Sequence, residues 1–250
     1  MSSKTLAGGA TAAAALLLGL ALSARALALS RRHLVPIFDE VAYLDQARGF
    51  ARLGGAAAVV QCYWQGRCRE DNRHPLYGLL ISPAIRVRAG DFAKAKLATL
   101  ACAWVLIGAA FWAGWRRAGP GAALLAAALA ALSPTLAYLS SRVLADVLFA
   151  ALYVTALEIL IAFEGSRWGW LGFGMLSGLA YLSKGTGHLL LLAGAALAWR
   201  RRGARAVVSA EAWLAAAGFM FVAGFLLRRN SLLWGEPFHN FNAKVFWLDD

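Results

Sequence analysis

Apolar residues run along this chain in long blocks. The first, 5–24, carries no charge and continues past Arg25 to Leu29. Six more follow at 97–115, 121–132, 147–163, 168–182, 186–199 and 212–227. A helix of about 20 mostly apolar residues crosses the hydrocarbon core of a bilayer. The pattern therefore predicts an all-α, polytopic transmembrane protein of about seven spans, with 1–250 as one membrane domain. An N-terminal apolar block also fits a cleaved signal peptide. Small residues occur throughout this one and mark no clear cleavage site, so it reads as the first span. Pro120 and Pro134 bracket the third block and suit helix ends. Between the first two blocks lies 30–91, a polar, Arg-rich stretch that reads as a partly helical loop outside the membrane.

Composition supports the membrane reading. The hydrophobic residues make up 60% of the chain and the charged ones 15%, with a mean hydropathy of +0.59. A soluble domain has ~45–50% apolar and ~25% charged residues. A water-soluble globular enzyme and a disordered chain are both excluded. The net charge of +12 would by itself suggest nucleic acid. The basic residues, however, sit in short clusters between apolar blocks, as at membrane helix ends, and no nucleic-acid partner is expected. Arg116-Arg117, the segment 164–167 and Arg200-Arg201-Arg202 with Arg205 fall on one side of the threaded chain, whereas Arg142 and Lys184 fall on the other. The positive-inside bias places the N-terminus in the cytoplasm of a cytoplasmic (inner) membrane and 30–91 outside. Cys62 and Cys68 lie in that loop, where an oxidising compartment permits a bridge; two free thiols fit equally well. Cys102 falls in an apolar block and reads as a packing residue.

No phosphate-cradling glycine loop, CxxC or HExxH spacing is present. Polar groups on the outer side carry the candidate chemistry. In FDEVAYLDQARGF, 38–50, two adjacent carboxylates follow an apolar turn. On a helix Glu40, Tyr43 and Ala47 share a face and Asp39 points elsewhere, so a single carboxylate aims at any one cleft. The same pair suits the N-terminus of an amphipathic helix 39–53, where negative charge is stabilising. His74-Pro75 with Tyr77 fits either a site segment or a loop entering an interfacial helix with Pro in its first turn. Arg142 and Asp146 are spaced for a local helical ion pair. Lys184 sits between two apolar blocks, where an ammonium is costly and hence a functional candidate unless it snorkels to headgroups. The last segment, 227–250, brings Arg228, Arg229 and His239 to the same side. Glu158 lies inside an apolar block and suits a transporter better than a surface enzyme.

In order, these segments resemble the GT-C superfamily of membrane glycosyltransferases, in the branch with protein O-mannosyltransferases and lipid A aminoarabinose transferases. The matching pieces are Asp39-Glu40 with Tyr43, His74-Pro75 with Tyr77, an SP…D stretch ending in Asp146, GLAYLSKG with Lys184, and WGEPFHNFN with Gly235, Pro237 and Asn240. The resemblance covers approximately 1–248. It implies inverting transfer of a sugar from a polyprenyl-phosphate donor to an acceptor hydroxyl on protein, lipid A or polysaccharide at the extracytoplasmic face. It implies Asp39 as the general base, with Glu40 and Asp146 as secondary acids. Lys184, Arg142 and His74 would then bind the donor phosphate, with Arg228 and Arg229 as weaker candidates. No cofactor and no metal site are implied, and a divalent cation stays open. Members of that superfamily have ten or more spans, so the chain is expected to be a truncated form or the N-terminal part of such a fold. A non-catalytic lipid-binding accessory protein on the same scaffold and a transporter subunit are the alternatives.

Overall fold

The computed structural model describes residues 3–69, 73–85 and 91–239. Asn240 of the WGEPFHNFN segment lies outside these described residues. Among them the chain forms eleven α-helices joined by loops and 3-10 turns, and no strand. These are α1 (Ser3–Arg32), α2 (Asp39–Leu53), α3 (Ala56–Trp64), α4 (Pro75–Ile81), α5 (Asp91–Ala118) and α6 (Pro120–Leu132), then α7 (Pro134–Ser140), α8 (Asp146–Ala162), α9 (Arg167–Ser183), α10 (Leu190–Arg202) and α11 (Ala210–Trp234).

Every apolar block is helical, but the helices differ in length. Gly9–Arg32 within α1, α5 and α11 are long and apolar enough to cross a membrane, and the pair α6–α7, bent by 59°, makes up to four such spans. The seven expected spans are reduced for two reasons. Helices α8 and α9 have 17 residues each, ~26 Å of rise, at the lower limit for crossing. The sixth block loses its start to the 3-10 turn Gly185–Leu189, leaving α10 with 13 residues. The bend between α6 and α7 falls at Ser133-Pro134, where proline cannot continue the ladder and Ser133 caps the new helix by accepting from the Leu136 N–H.

Helices α9 and α11 pack closely because their contact is built on glycine. A Cβ on Gly174 would collide with the backbone of Ala215, and one on Gly218 with the carbonyl of Leu171. Small residues let membrane helices approach to backbone contact. Helix α5 lies against α6 and α8. At one end of the bundle Arg117 grips Glu158 through two bonds, 3.0 Å to Oε2 and 2.7 Å to Oε1. There too Arg116 donates to the Ala162 carbonyl (3.3 Å) and Arg201 pairs with Glu164. Glu158 is thus neutralised by the end of the neighbouring helix.

The opposite end carries α2, α3 and α4. Helix α2 has the bounds that its sequence predicts, Asp39–Leu53, and stops at Gly54 in the left-handed region (φ 99°), whose N–H returns to the Ala51 and Phe50 carbonyls. Its apolar face joins Tyr77, Ile81, Ala95 and Val143 in one buried cluster. Cys62 and Cys68 are bridged, with Cα atoms 5.5 Å apart. Two arginines of α11 brace that bridged loop. Arg229 donates to the Cys68 carbonyl (2.7 Å) and Arg228 to the Trp64 carbonyl (3.1 Å).

Candidate active site

Four distant segments meet around an open cavity of about 440 Å³, into which Asp39, Tyr43, Arg73, His74, Asp146 and Lys184 project. Asp39 opens α2, directly after Phe38, whose φ of 45° is the sole positive value on a non-glycine among the described residues. Left-handed backbone is unfavourable for a bulky side chain, so the surrounding structure holds this turn in place. Asp146 opens α8, where the helix N-terminus favours a carboxylate. Lys184 is the extended residue that ends α9.

The charges are arranged in two pairs. Lys184 Nζ donates to Asp146 Oδ1 at 2.7 Å, and Arg73 pairs with Asp39. Gln46 Nε2 anchors the Arg73 backbone by donating to its carbonyl at 3.1 Å. The Asp39 side chain is 51% exposed and that of Lys184 41% exposed. Ion pairs so open contribute little stability, but they leave carboxylate and ammonium accessible from the cavity.

Glu40, one residue on, is 2% exposed and points the other way. It accepts hydrogen bonds from the backbone N–H of Val143 (3.0 Å) and of Ile37 (3.1 Å), and lies 2.6 Å from His33 Nε2. Arg142 Nη1 stands 3.7 Å from the same carboxylate and 2.8 Å from His33 Nδ1. Burial alone would raise the pKa of Glu40. The Val143 N–H, His33 and the Ile37 N–H outweigh it and hold the carboxyl below the usual range. Glu40 is therefore an ionised tie between the end of α1, the turn before α2 and the loop before α8.

His74 caps α4 ahead of Pro75, the expected first-turn proline. Burial, opposed by the Tyr181 carbonyl, pushes its pKa down to about 4. His74 is neutral at pH 7 and gives its one ring N–H to the Tyr181 carbonyl, so it offers a phosphate neither a charge nor a free N–H. Burial likewise raises Tyr43 to about 12, so its hydroxyl stays protonated and can donate.

Of the six residues that the sequence singles out, Asp39, His74, Asp146 and Lys184 come together at the cavity. Glu40 and Arg142 stand behind it. The expected ion pair between Arg142 and Asp146 does not form, because the chain leaves helical geometry between α7 and α8, and Arg142 turns to His33 and Glu40. Arg228 and Arg229 are spent on the bridged loop. Arg73 escapes the motif reading, though it immediately precedes His74-Pro75. Ser183 and Thr186 add hydroxyl-bearing residues to the lining and carry no sequence signal of their own. Among the described residues no group of three or more His, Cys, Asp or Glu could hold a metal ion.

Residues 72–229 match the family model for dolichyl-phosphate-mannose-protein mannosyltransferase. That range includes His74, Arg142, Asp146 and Lys184 and leaves Asp39 and Glu40 upstream. No curated protein and no solved structure matches the chain. With more than half of its residues inside the match, and an all-α membrane fold around the cavity, the chain belongs to the dolichyl-phosphate-mannose-protein mannosyltransferase family, membrane glycosyltransferases of the GT-C type.

Proposed function

We propose that the protein transfers a sugar from a polyprenyl-phosphate donor to an acceptor hydroxyl, with inversion, at the extracytoplasmic face of a bacterial cytoplasmic membrane. The observation that carries this reading is the cavity that presents an accessible carboxylate, Asp39, and an accessible ammonium, Lys184, at the same end of the helices. Asp39 takes the proton from the acceptor hydroxyl. The freed oxygen attacks the anomeric carbon as the bond to the phosphate oxygen breaks on the opposite side. The negative charge then gathers on the departing lipid phosphate, where Lys184 and Arg73 stabilise it. Arg73 also orients the Asp39 carboxylate through their ion pair, while Asp146 steadies Lys184. Tyr43 supplies a neutral hydrogen bond. The Arg-rich end bearing Arg116, Arg117 and Arg201 faces the cytoplasm, as the positive-inside rule requires. Mannose and a protein hydroxyl are the donor sugar and acceptor that the family's name indicates; lipid A or polysaccharide hydroxyls fit the same chemistry.

The test is incubation of membranes containing the chain with labelled polyprenyl-phosphate sugars. The expected result is transfer by the wild type and its loss in Asp39→Asn. Binding of the donor without any turnover would instead identify a non-catalytic lipid-binding protein.

A further inference from the structure

A second cavity, of about 400 Å³, opens between α1 and α5, on the other side of Glu40 and His33 from the first. Its body is apolar, with Leu27, Leu97 and Leu100 on the walls. Leu27 and Leu97 are exposed on the outside of two helices long enough to cross a membrane, so the opening lies against the bilayer. Its other end is polar and cationic, with Arg31, Lys96 and Ser140, and no acidic side chain among the described residues lines it. Lys96 is buried, its ammonium group fastened by the carbonyls of Ser30 (3.3 Å) and His33 at the end of α1.

Ser140 supplies a second, independent observation. It is 2% exposed, and its hydroxyl has no hydrogen-bond partner among the described residues. A buried hydroxyl left unsatisfied is costly. A phosphate oxygen entering beside it would satisfy it. It would also meet the positive field of Arg31 and Lys96 while its alkyl chains lie along the leucines.

We propose that this cavity binds the phosphate headgroup of an anionic phospholipid drawn from the surrounding bilayer. Neither charge alone nor apolar surface alone accounts for a site that is cationic at one end, greasy at the other and open to lipid. His33 lines the cavity and bonds Glu40 at 2.6 Å, so the lipid sits one hydrogen bond away from the residue next to Asp39. This proposal stands apart from the transfer reaction and is tested without it.

The experiment uses the full chain in nanodiscs of phosphatidylcholine with and without phosphatidylglycerol, extracted into mild detergent, with retained phosphatidylglycerol counted by native mass spectrometry. The wild type is expected to retain phosphatidylglycerol selectively. Arg31→Gln and Ser140→Leu should each weaken retention roughly tenfold, the usual consequence of losing one charged hydrogen bond or its space. Arg200→Gln, at the opposite end, should leave it unchanged. Arg31 is exposed, so its variant reads binding even if Ser140→Leu folds poorly. Equal retention by all variants, an equal loss in Arg200→Gln, or displacement by glycerol 1-phosphate or polyprenyl phosphate would overturn the proposal.

Discussion

The two ends of the helical bundle use ion pairs differently. At the end bearing Arg117 and Glu158, a two-bond pair joins neighbouring helices, with the carboxylate almost withdrawn from water. At the other end Asp39–Arg73 and Asp146–Lys184 join segments far apart in sequence, lie half in the open and ring a cavity. The first arrangement fastens helices. The second holds charge ready for a ligand at small cost in stability. Glu40 shows that both styles occur side by side, since it is fastened like Glu158 yet adjoins Asp39.

The contrast is broken most sharply by Asp39→Asn. Removal of a general base costs ~10²–10⁴-fold, so transfer is expected to fall to background while membrane insertion and thermal unfolding stay as in wild type. An unchanged rate would remove Asp39 from the chemistry. Lys184→Ala should lower turnover ~10²-fold, the scale for losing one group that stabilises developing charge, and Lys184→Arg should restore part of it. Glu40→Gln should behave as a fastening residue, with a stability loss of about 3 kcal/mol from stranding its buried partners, read by thermal unfolding in detergent. Glu158→Gln should cost about 1–2 kcal/mol and leave kcat per folded molecule unchanged. A kcat effect at Glu158 would erase the distinction between the two ends.

Acid sharpens the comparison further. His74 binds its proton less readily when folded, because burial lowers its pKa from 6.5 to about 4. Between those values the unfolded chain holds more protons, so stability is full above pH 6.5 and declines as pH falls toward 4. His74→Gln should flatten that limb of a melting-temperature profile. Glu40, also held low, contributes stability that is present above its ordinary pKa of 4.5 and is lost at still lower pH. No effect on turnover is expected from Cys62→Ser with Cys68→Ser. Opening so short a loop costs about 2 kcal/mol and should leave donor use intact.

Much of this was legible in the sequence because it depends on short-range pattern. The bounds of α2, the opposed directions of Asp39 and Glu40, and Pro75 in the first turn of α4 all follow from helical periodicity and capping. The span count was less legible. Hydropathy does not register the 59° bend at Ser133-Pro134 or the 3-10 turn that shortens α10. Arg142 shows the limit most clearly. Its spacing from Asp146 suits a helix, but the backbone is not helical there, and its partners come from residues 33 and 40. Arg73 becomes visible as a neighbour of Asp39 only once α4 docks beneath α2.

The turn between α1 and α2 is short and thoroughly tied. His33 N–H bonds the Ser30 carbonyl, Glu40 N–H the Ile37 carbonyl and Val41 N–H the Phe38 carbonyl, around a Phe38 fixed in left-handed backbone with its ring 89% exposed. The helix that crosses the membrane and the helix that begins with Asp39 are thus coupled through Glu40, whose carboxylate holds His33 at one end of the turn and the Ile37 N–H at the other.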